Sequence, residues 1–390
     1  MLFEALSQAE GQPRWAWLHG RSGWVGWGIG EMAVGEGPSR FADLARALPH
    51  GGPRFVGLSF APHEHHVAPW WEAFPAGMAV APTTLRGPLA MPMHARWAPS
   101  AEATPAADLP VVGGTSRPAW EAAVNQALAT IAAGALQKVV LARAEVVRLP
   151  APISPVDVLA ALYHQHPRAY CFLMEPEPGV AFVGATPELL ARVRGPAVET
   201  VALAGSAPRG TDEHTDALLG RQLLASPKDR REHALVVEHI RTSLTPLTTT
   251  LLVPPEPRLR RLPHIQHLET PIRGLLQPGV GVLDIAAALH PTPALGGAPR
   301  DAAMTFIAEH EPFPRGWYAA PVGLAFPDGS GELGVAIRSA LLLKDVAVLY
   351  AGAGIVAGSD PAKEWEETGL KLTTMRQALA EACAVPMQVG

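Results

Sequence analysis

The chain reads as an α+β protein rather than a doubly wound α/β sheet, and three observations say so. Strand-like runs come bunched between helices instead of alternating with them. The runs Val139-Val140-Leu141 and Val146-Val147 have high β-propensity with no breaker between them, whereas the helical stretches carry apolar residues at helical spacing. No internal repeat is visible, which argues against a solenoid. Of 390 residues, 48% are hydrophobic and 17% charged, enough for a large core and too apolar for global disorder. The length allows two or three average domains or one large one.

Taken in order, Trp15, Trp17, Trp24 and Trp27 surround a turn-like His19-Gly20-Arg21-Ser22-Gly23, which predicts a hairpin with its aromatics on one sheet. His63-Glu64-His65-His66 fits neither HExxH nor a ligand pair on one helical face, so it reads as a surface loop. Residues 100–118, dense in Ala, Pro and Gly, read as a connector. Trp120, Val124, Leu128 and Ile131 predict a helix over 120–133 with Gly134 near its end. A strand around Lys138 follows. Ser154-Pro155 is an N-cap with proline at the first helical position. Two strands flank 181–190, and a long helical stretch is predicted over about 211–244. After a proline-rich break at 254–257, strand-like runs at 334–343 and 347–351 precede a last helix over about 361–382.

Composition excludes several classes. With 31 basic and 36 acidic residues the net charge is -5, and no basic run stands out, which argues against nucleic acid as partner. An anionic substrate must then be held by a few placed cations or a metal. Cys171 and Cys383 lie far apart, which suits a reducing cytosol better than a disulfide framework or a thiolate zinc site. The N-terminus lacks the features of a signal peptide, and no run of 18 apolar residues could span a bilayer. A soluble, cytoplasmic protein without membrane partners is expected.

Lys138 is the most informative residue. In an extended segment it shares a face with Val140, Ala142 and Ala144, where an ammonium must reach water, pair with a carboxylate or lose its proton. Glu188 follows a strand and Pro187, where it suits either a cleft or a helix start. Glu232 opens the apolar half of the long helical stretch. Glu364, Glu367 and Lys371, spaced i, i+3 and i+7, share one helix face that offers carboxylates to a hard cation or simply faces solvent. Gly352 and Gly354 do not complete a dinucleotide fingerprint, and a carboxylate cradled by backbone amides is the better use. Arg338, on a strand-like face with Ala336, Ala340 and Leu342, suits a bidentate carboxylate.

Seven motifs join these residues. They are Lys138-Val139-Val140-Leu141-Ala142-Arg143, Gly184-Ala185-Thr186-Pro187-Glu188, Leu203-Ala204-Gly205-Ser206-Ala207 and Arg231-Glu232-His233. His290-Pro291-Thr292-Pro293-Ala294-Leu295-Gly296-Gly297, Ala351-Gly352-Ala353-Gly354-Ile355-Val356 and Glu364-Trp365-Glu366-Glu367-Thr368 complete the set. In this order, over roughly residues 115–380, they resemble the chorismate-utilising enzymes, and within them the isochorismate synthase branch.

The resemblance implies a single large domain of two stacked β-sheets with helices packed outside. Residues 1–110 are then a motif-poor N-terminal part of that fold, and 111–390 the chorismate-binding catalytic region. It implies Lys138 as base and Glu188 as acid, each held neutral, for adding water at C2 of chorismate as the C4 hydroxyl departs. It implies Mg²⁺ on Glu232 and Glu367, with Glu364 nearby or bound through water. Arg338, Tyr318 and the backbone from Gly352 to Gly354 would hold the enolpyruvyl carboxylate. Gly205, Ser206, His267, Ala294, Leu295 and Lys371 also match substrate-site positions.

Lysine at 138, where anthranilate synthases tend to carry a non-basic residue, implies water as nucleophile and no obligatory glutaminase subunit. Ala294, where pyruvate-eliminating members usually carry threonine, implies that the reaction stops at isochorismate. Two departures stand out: Gly296 replaces the usual serine, and Ala319-Ala320-Pro321 replaces a glycine-containing stretch. The alternatives are a pyruvate-releasing chorismate enzyme of the salicylate, aminodeoxychorismate or anthranilate synthase type, and a non-catalytic metabolite-binding homologue. The product would feed menaquinone or a catechol or salicylate siderophore. Nothing reads as a dimer seam, so a monomer is expected.

Overall fold

The structure, a computed structural model, describes residues 2–49, 51–62, 69–90, 109–262 and 265–384. The His63–His66 cluster and residues 100–108 of the predicted connector lie outside the described residues, and the rest of that stretch holds the strand Val111–Gly114 and the start of the helix Arg117–Ala132 instead of a plain connector. Two ten-stranded sheets form the frame. The first runs from Gly297–Ala298 through Lys138–Arg148, Val346–Val356, Ser339–Leu343, Val180–Thr186 and Tyr170–Glu177 to Arg14–His19, Ser22–Trp27 and Thr84–Ala90. Val111–Gly114 also pairs with Lys138–Arg148. The second runs from Thr248–Leu252 through Ile265–Leu276, Ala197–Pro208, Leu189–Arg194, Gly331–Val335 and Pro321–Ala325 to Arg54–Leu58, Gly77–Ala81 and Glu31–Gly35. Arg258–Arg261 joins it on Ile265–Leu276. All pairings among the described residues are antiparallel, as an α+β reading requires.

The first ninety residues supply strands to both sheets. Arg14–His19 pairs with Tyr170–Glu177, and Arg54–Leu58 pairs with Pro321–Ala325. One core takes side chains from both sheets: Trp15 stacks on Phe55 at 6.5 Å, and Phe74 meets Trp317 edge-on at 5.0 Å. A second apolar layer lies under the helices Pro155–Gln165 and Pro361–Cys383, where Leu159, Leu162, Leu372 and Leu379 are fully buried. Each such leucine contributes roughly 1.5–3 kcal/mol.

Local expectations hold where a cap or a stripe set them. Ser154 accepts from the Val156 amide at the start of Pro155–Gln165, and the predicted 120–133 helix is Arg117–Ala132. Arg14–His19 and Ser22–Trp27 form the tryptophan hairpin, but Trp24 and Trp27 pack on opposite faces of its sheet.

Three expectations need correction. The 211–244 stretch is two helices, Glu213–Ala225 and Pro227–Leu244, because Pro227 cannot donate to the preceding turn and Ser226 caps the second helix. The 334–343 run is also broken. Arg338 takes φ 52° between Gly331–Val335 and Ser339–Leu343, so it shares no strand face with Ala340. Finally, Gly352 and Gly354 lie inside the strand Val346–Val356, not after one.

Candidate active site

A cavity opens between the strand ends of the two sheets and the helices Pro227–Leu244 and Pro361–Cys383. Glu188, Gly205, Ser206, Glu232, His267, Ala294 and Leu295 line it. So do Tyr318, Arg338, Gly352, Gly354, Glu364, Glu367 and Lys371. Lys138 is the exception. It is fully buried, and its Nζ reaches the cavity wall only through Glu232 Oε1, at 2.7 Å.

The Lys138 face is as apolar as its sequence implies, but the ammonium has found a carboxylate. Burial opposes the charge on Glu232, yet the charge and hydrogen bond of Lys138 outweigh it and hold the Glu232 carboxyl below its usual range. Gly354 makes room for the pair. A Cβ there would sit 2.5 Å from Glu232 Oε1 and 2.9 Å from Lys138 Cε. Gly354→Ala is therefore expected to push the two apart at about 1–3 kcal/mol of stability. Turnover should fall at least about tenfold, since about 1 Å of misplacement can cost a hundredfold. Thermal melting and steady-state kinetics on the one variant check both.

Two further carboxylates on this wall have lysines of their own. Glu367 Oε1 lies 2.6 Å from Lys371 Nζ, and Lys371 also donates to the Gly352 carbonyl at 2.8 Å. Glu364 Oε1 lies 3.1 Å from Lys228 Nζ. Burial and then the nearby charge of Glu367 raise the Glu364 carboxyl, and burial raises Asp229, with Glu232 and Glu367 adding to it. Lys228 and Asp229, both lining the cavity, escaped the sequence reading. Their signal was there: they precede Glu232 by one helical turn and share its face.

Glu188 stands apart from this wall. It occupies the short link between Val180–Thr186 and Leu189–Arg194, not a helix start. Thr186 Oγ1 accepts from its amide, and its carbonyl accepts from Val335. Burial pushes its carboxyl up to about 7, against the pull of Lys138, Lys371 and nearby arginines. The two sheets meet in this link, which is how an acid from an exposed-looking turn comes to be buried.

On another side, Gly205 takes φ 78° at a bulge opposite Leu268 and His267, and this brings Ser206 Oγ to 2.9 Å from His267 Nδ1. Gly205 O also lies 3.3 Å from Nδ1, and a carbonyl can only accept, so Nδ1 carries the proton. Nε2 is left as an acceptor without a partner among the described residues. Burial, then Arg338 and Lys371, hold this imidazole well below its usual pKa, so it is neutral.

Arg338 and Tyr318 come from two turns stitched together by Ala319 N to Ala336 O and Ala336 N to Ala320 O. Ala319 sits at φ 61°, a conformation costing an alanine about 1–2 kcal/mol. Burial lowers the Arg338 guanidinium to about 10 and raises the Tyr318 phenol above its ordinary value, so both stay protonated donors at neutral pH.

Among the described residues no three His, Cys, Asp or Glu side chains converge as a metal cage. The wall nonetheless suits a Mg²⁺ ion, which takes one or two protein carboxylates and leaves its other positions to substrate and water. Asp229 and Glu364, both raised in part by like-charged neighbours, are groups that an added cation would relieve.

Paired carboxylates, a protonated buried acid and placed donors for anions describe an enzyme site for a small polyanion. The chain belongs to the chorismate binding enzymes, whose family profile matches residues 98–380. It is 47% identical over 274 residues to the salicylate biosynthesis isochorismate synthase of Pseudomonas aeruginosa, covering 70% of this chain and 57% of that protein. It is 42% identical over 256 residues to the isochorismate synthase EntC of Escherichia coli K12, covering 66% of each. Matched regions thus span somewhat over half to about two thirds of these relatives. The structure of MenF, the menaquinone-specific isochorismate synthase of Escherichia coli, superposes with a TM-score of 0.81 at 29% identity. That match covers 97% of this chain and 91% of that one. No helix among the described residues is long and apolar enough to cross a membrane.

Proposed function

We propose that the protein is an isochorismate synthase, converting chorismate to isochorismate by adding water at C2 while the C4 hydroxyl leaves and the ring double bonds shift. The observation that carries this reading is the pairing of a buried lysine with a separate buried carboxylic acid around one cavity: Lys138 behind Glu232, and Glu188 pushed up to about 7. Water is a poor nucleophile and hydroxide a poor leaving group, so the exchange needs a base and an acid together. Glu188, carrying its proton, protonates the departing C4 hydroxyl. Lys138 acts as base in its neutral form, taking a proton from the incoming water once Glu232 turns away from its Nζ. The enolpyruvyl carboxylate faces Arg338, Tyr318 and the Gly352–Gly354 backbone. His267 Nε2 offers an acceptor to a ring hydroxyl, and Ala294 and Leu295 shape the wall beside the ring.

Glu232 and Glu367 would hold Mg²⁺, with Glu364 beside them, and the ion supplies the positive charge that fixes the ring carboxylate. The lysines then serve as counter-ions to these carboxylates until ligands arrive. A monomer acting without a glutaminase subunit fits a site whose machinery comes from one chain.

Incubation with chorismate and Mg²⁺, followed by mass spectrometry and proton NMR, tests the reading. The expected product has unchanged mass and the isochorismate spectrum, and EDTA abolishes turnover until Mg²⁺ is restored. Pyruvate release or a requirement for ammonia would sink it.

A further inference from the structure

The Lys138–Arg148 strand is flanked on one side by Val346–Val356 along its whole length, with Val140 opposite Gly354 and Ala142 opposite Gly352. Its other side is interrupted. Gly297–Ala298 pairs only with Val139 and Lys138, and Gly296 O accepts from the Val140 amide. Pairing resumes at Ala144, which exchanges hydrogen bonds with Thr115, and continues with Val111–Gly114. Between these stretches, the Val140 carbonyl and the Ala142 amide have no neighbouring strand among the described residues, and a buried polar group left unpaired is destabilising.

An ion pair fills the gap. Arg315 Nη2 donates to Val140 O at 2.7 Å, and Glu311 Oε1 accepts from Ala142 N at 2.7 Å. The two are joined through Arg315 Nε and Glu311 Oε2 at 2.8 Å, and both are buried. The same guanidinium donates to Leu295 O at 2.7 Å and lies over the Phe60 ring at 4.1 Å. Tyr318 N donates to the Arg315 carbonyl.

We infer that Glu311 and Arg315 act as a side-chain surrogate for the missing strand, and that they are positioning residues for the reaction proposed above. They fix three substrate-facing points against one another: the strand that carries Lys138, the Leu295 wall and the Tyr318 turn. The guanidinium serves the carboxylate and the two carbonyls from three separate nitrogens, which the single nitrogen of a lysine cannot do, so lysine cannot replace Arg315 here. A buried ion pair adds little net stability over apolar side chains, so alignment rather than folding is its main product.

The inference rests on the isochorismate synthase reading, and its test separates the two. Glu311→Ala is expected to lower kcat on chorismate about a hundredfold, the loss a displacement of about 1 Å can cause. KM should change less than about threefold, and the Ala142 amide should exchange at least about tenfold faster in the ligand-free protein. Glu311→Gln, which keeps an acceptor for Ala142, should restore both to within about tenfold of wild type. Arg315→Lys should behave like the alanine variant in kcat and in Ala142 exchange while remaining folded at the assay temperature.

If Glu311→Ala fails to fold, the glutamine and lysine variants carry the same test. The inference falls if Arg315→Lys or a folded Glu311→Ala keeps wild-type kcat, or if activity is lost with Ala142 exchange unchanged. A wild-type protein that does not isomerise chorismate refutes the reaction instead, and leaves the exchange measurements to judge the surrogate strand.

Discussion

Lys138→Ala is expected to cut chorismate turnover by about a thousandfold, within the range for removing a general base, while chorismate binding stays measurable by calorimetry. The binding expectation follows from geometry. Arg338, Tyr318 and the Gly352–Gly354 strand line the cavity, whereas Lys138 lies behind Glu232. Stability should also fall, because breaking a buried ion pair by removing one partner costs about 3–5 kcal/mol. Glu232 retains a partial path to the cavity at 12% side-chain exposure, which places the loss at the lower end. A Lys138→Met, Glu232→Gln double variant should recover most of that stability and none of the turnover. Urea unfolding and single-turnover kinetics on the set check both halves, and near-normal turnover in a folded Lys138→Ala protein would refute the base assignment.

Glu188→Gln is expected to be inactive and yet more stable than wild type at alkaline pH. The folded protein holds this carboxyl at about 7 against an ordinary 4.5, so folding favours its proton. The sign follows from linkage. The contribution of Glu188 is fully present below 4.5 and is lost as pH rises through about 7, which amounts to about 3 kcal/mol. Glutamine does not ionise and escapes this loss. The variant's advantage should therefore grow between pH 5 and pH 8.5 in parallel denaturant titrations, and an advantage that stays constant would show the carboxyl to be well solvated. Wild-type kcat should fall over the same range as Glu188 loses the proton it must donate.

How much of this was legible beforehand depended on distance along the chain. The Ser154 cap, the 120–133 stripe and the shared face of Glu364, Glu367 and Lys371 are local, and each was readable from a few neighbouring residues. The partner of Lys138 was not, since Glu232 lies 94 residues away on a helix whose approach is set by Gly205 and Gly354. Arg338 misled for a different reason. Apolar alternation continues through it, but its left-handed backbone breaks the strand, and Ser339 alone there hints at a turn. Pro227 did announce the helix break, and the periodicity on either side of it outweighed the signal. Several strands of the first ninety residues are buried along nearly their whole length, so their pattern does not say which sheet each one joins, and they divide between two.

The lysine beside each of Glu232, Glu364 and Glu367 bears on the order in which this protein is made. Carboxylates gathered to receive a dication would repel one another throughout folding, and many small metal sites take shape only when the ion arrives. Here lysine side chains of the same chain already stand against these carboxylates. On the function proposed above, such a chain would fold before its ion arrives, and the lysines would turn to other partners as the ion takes their place.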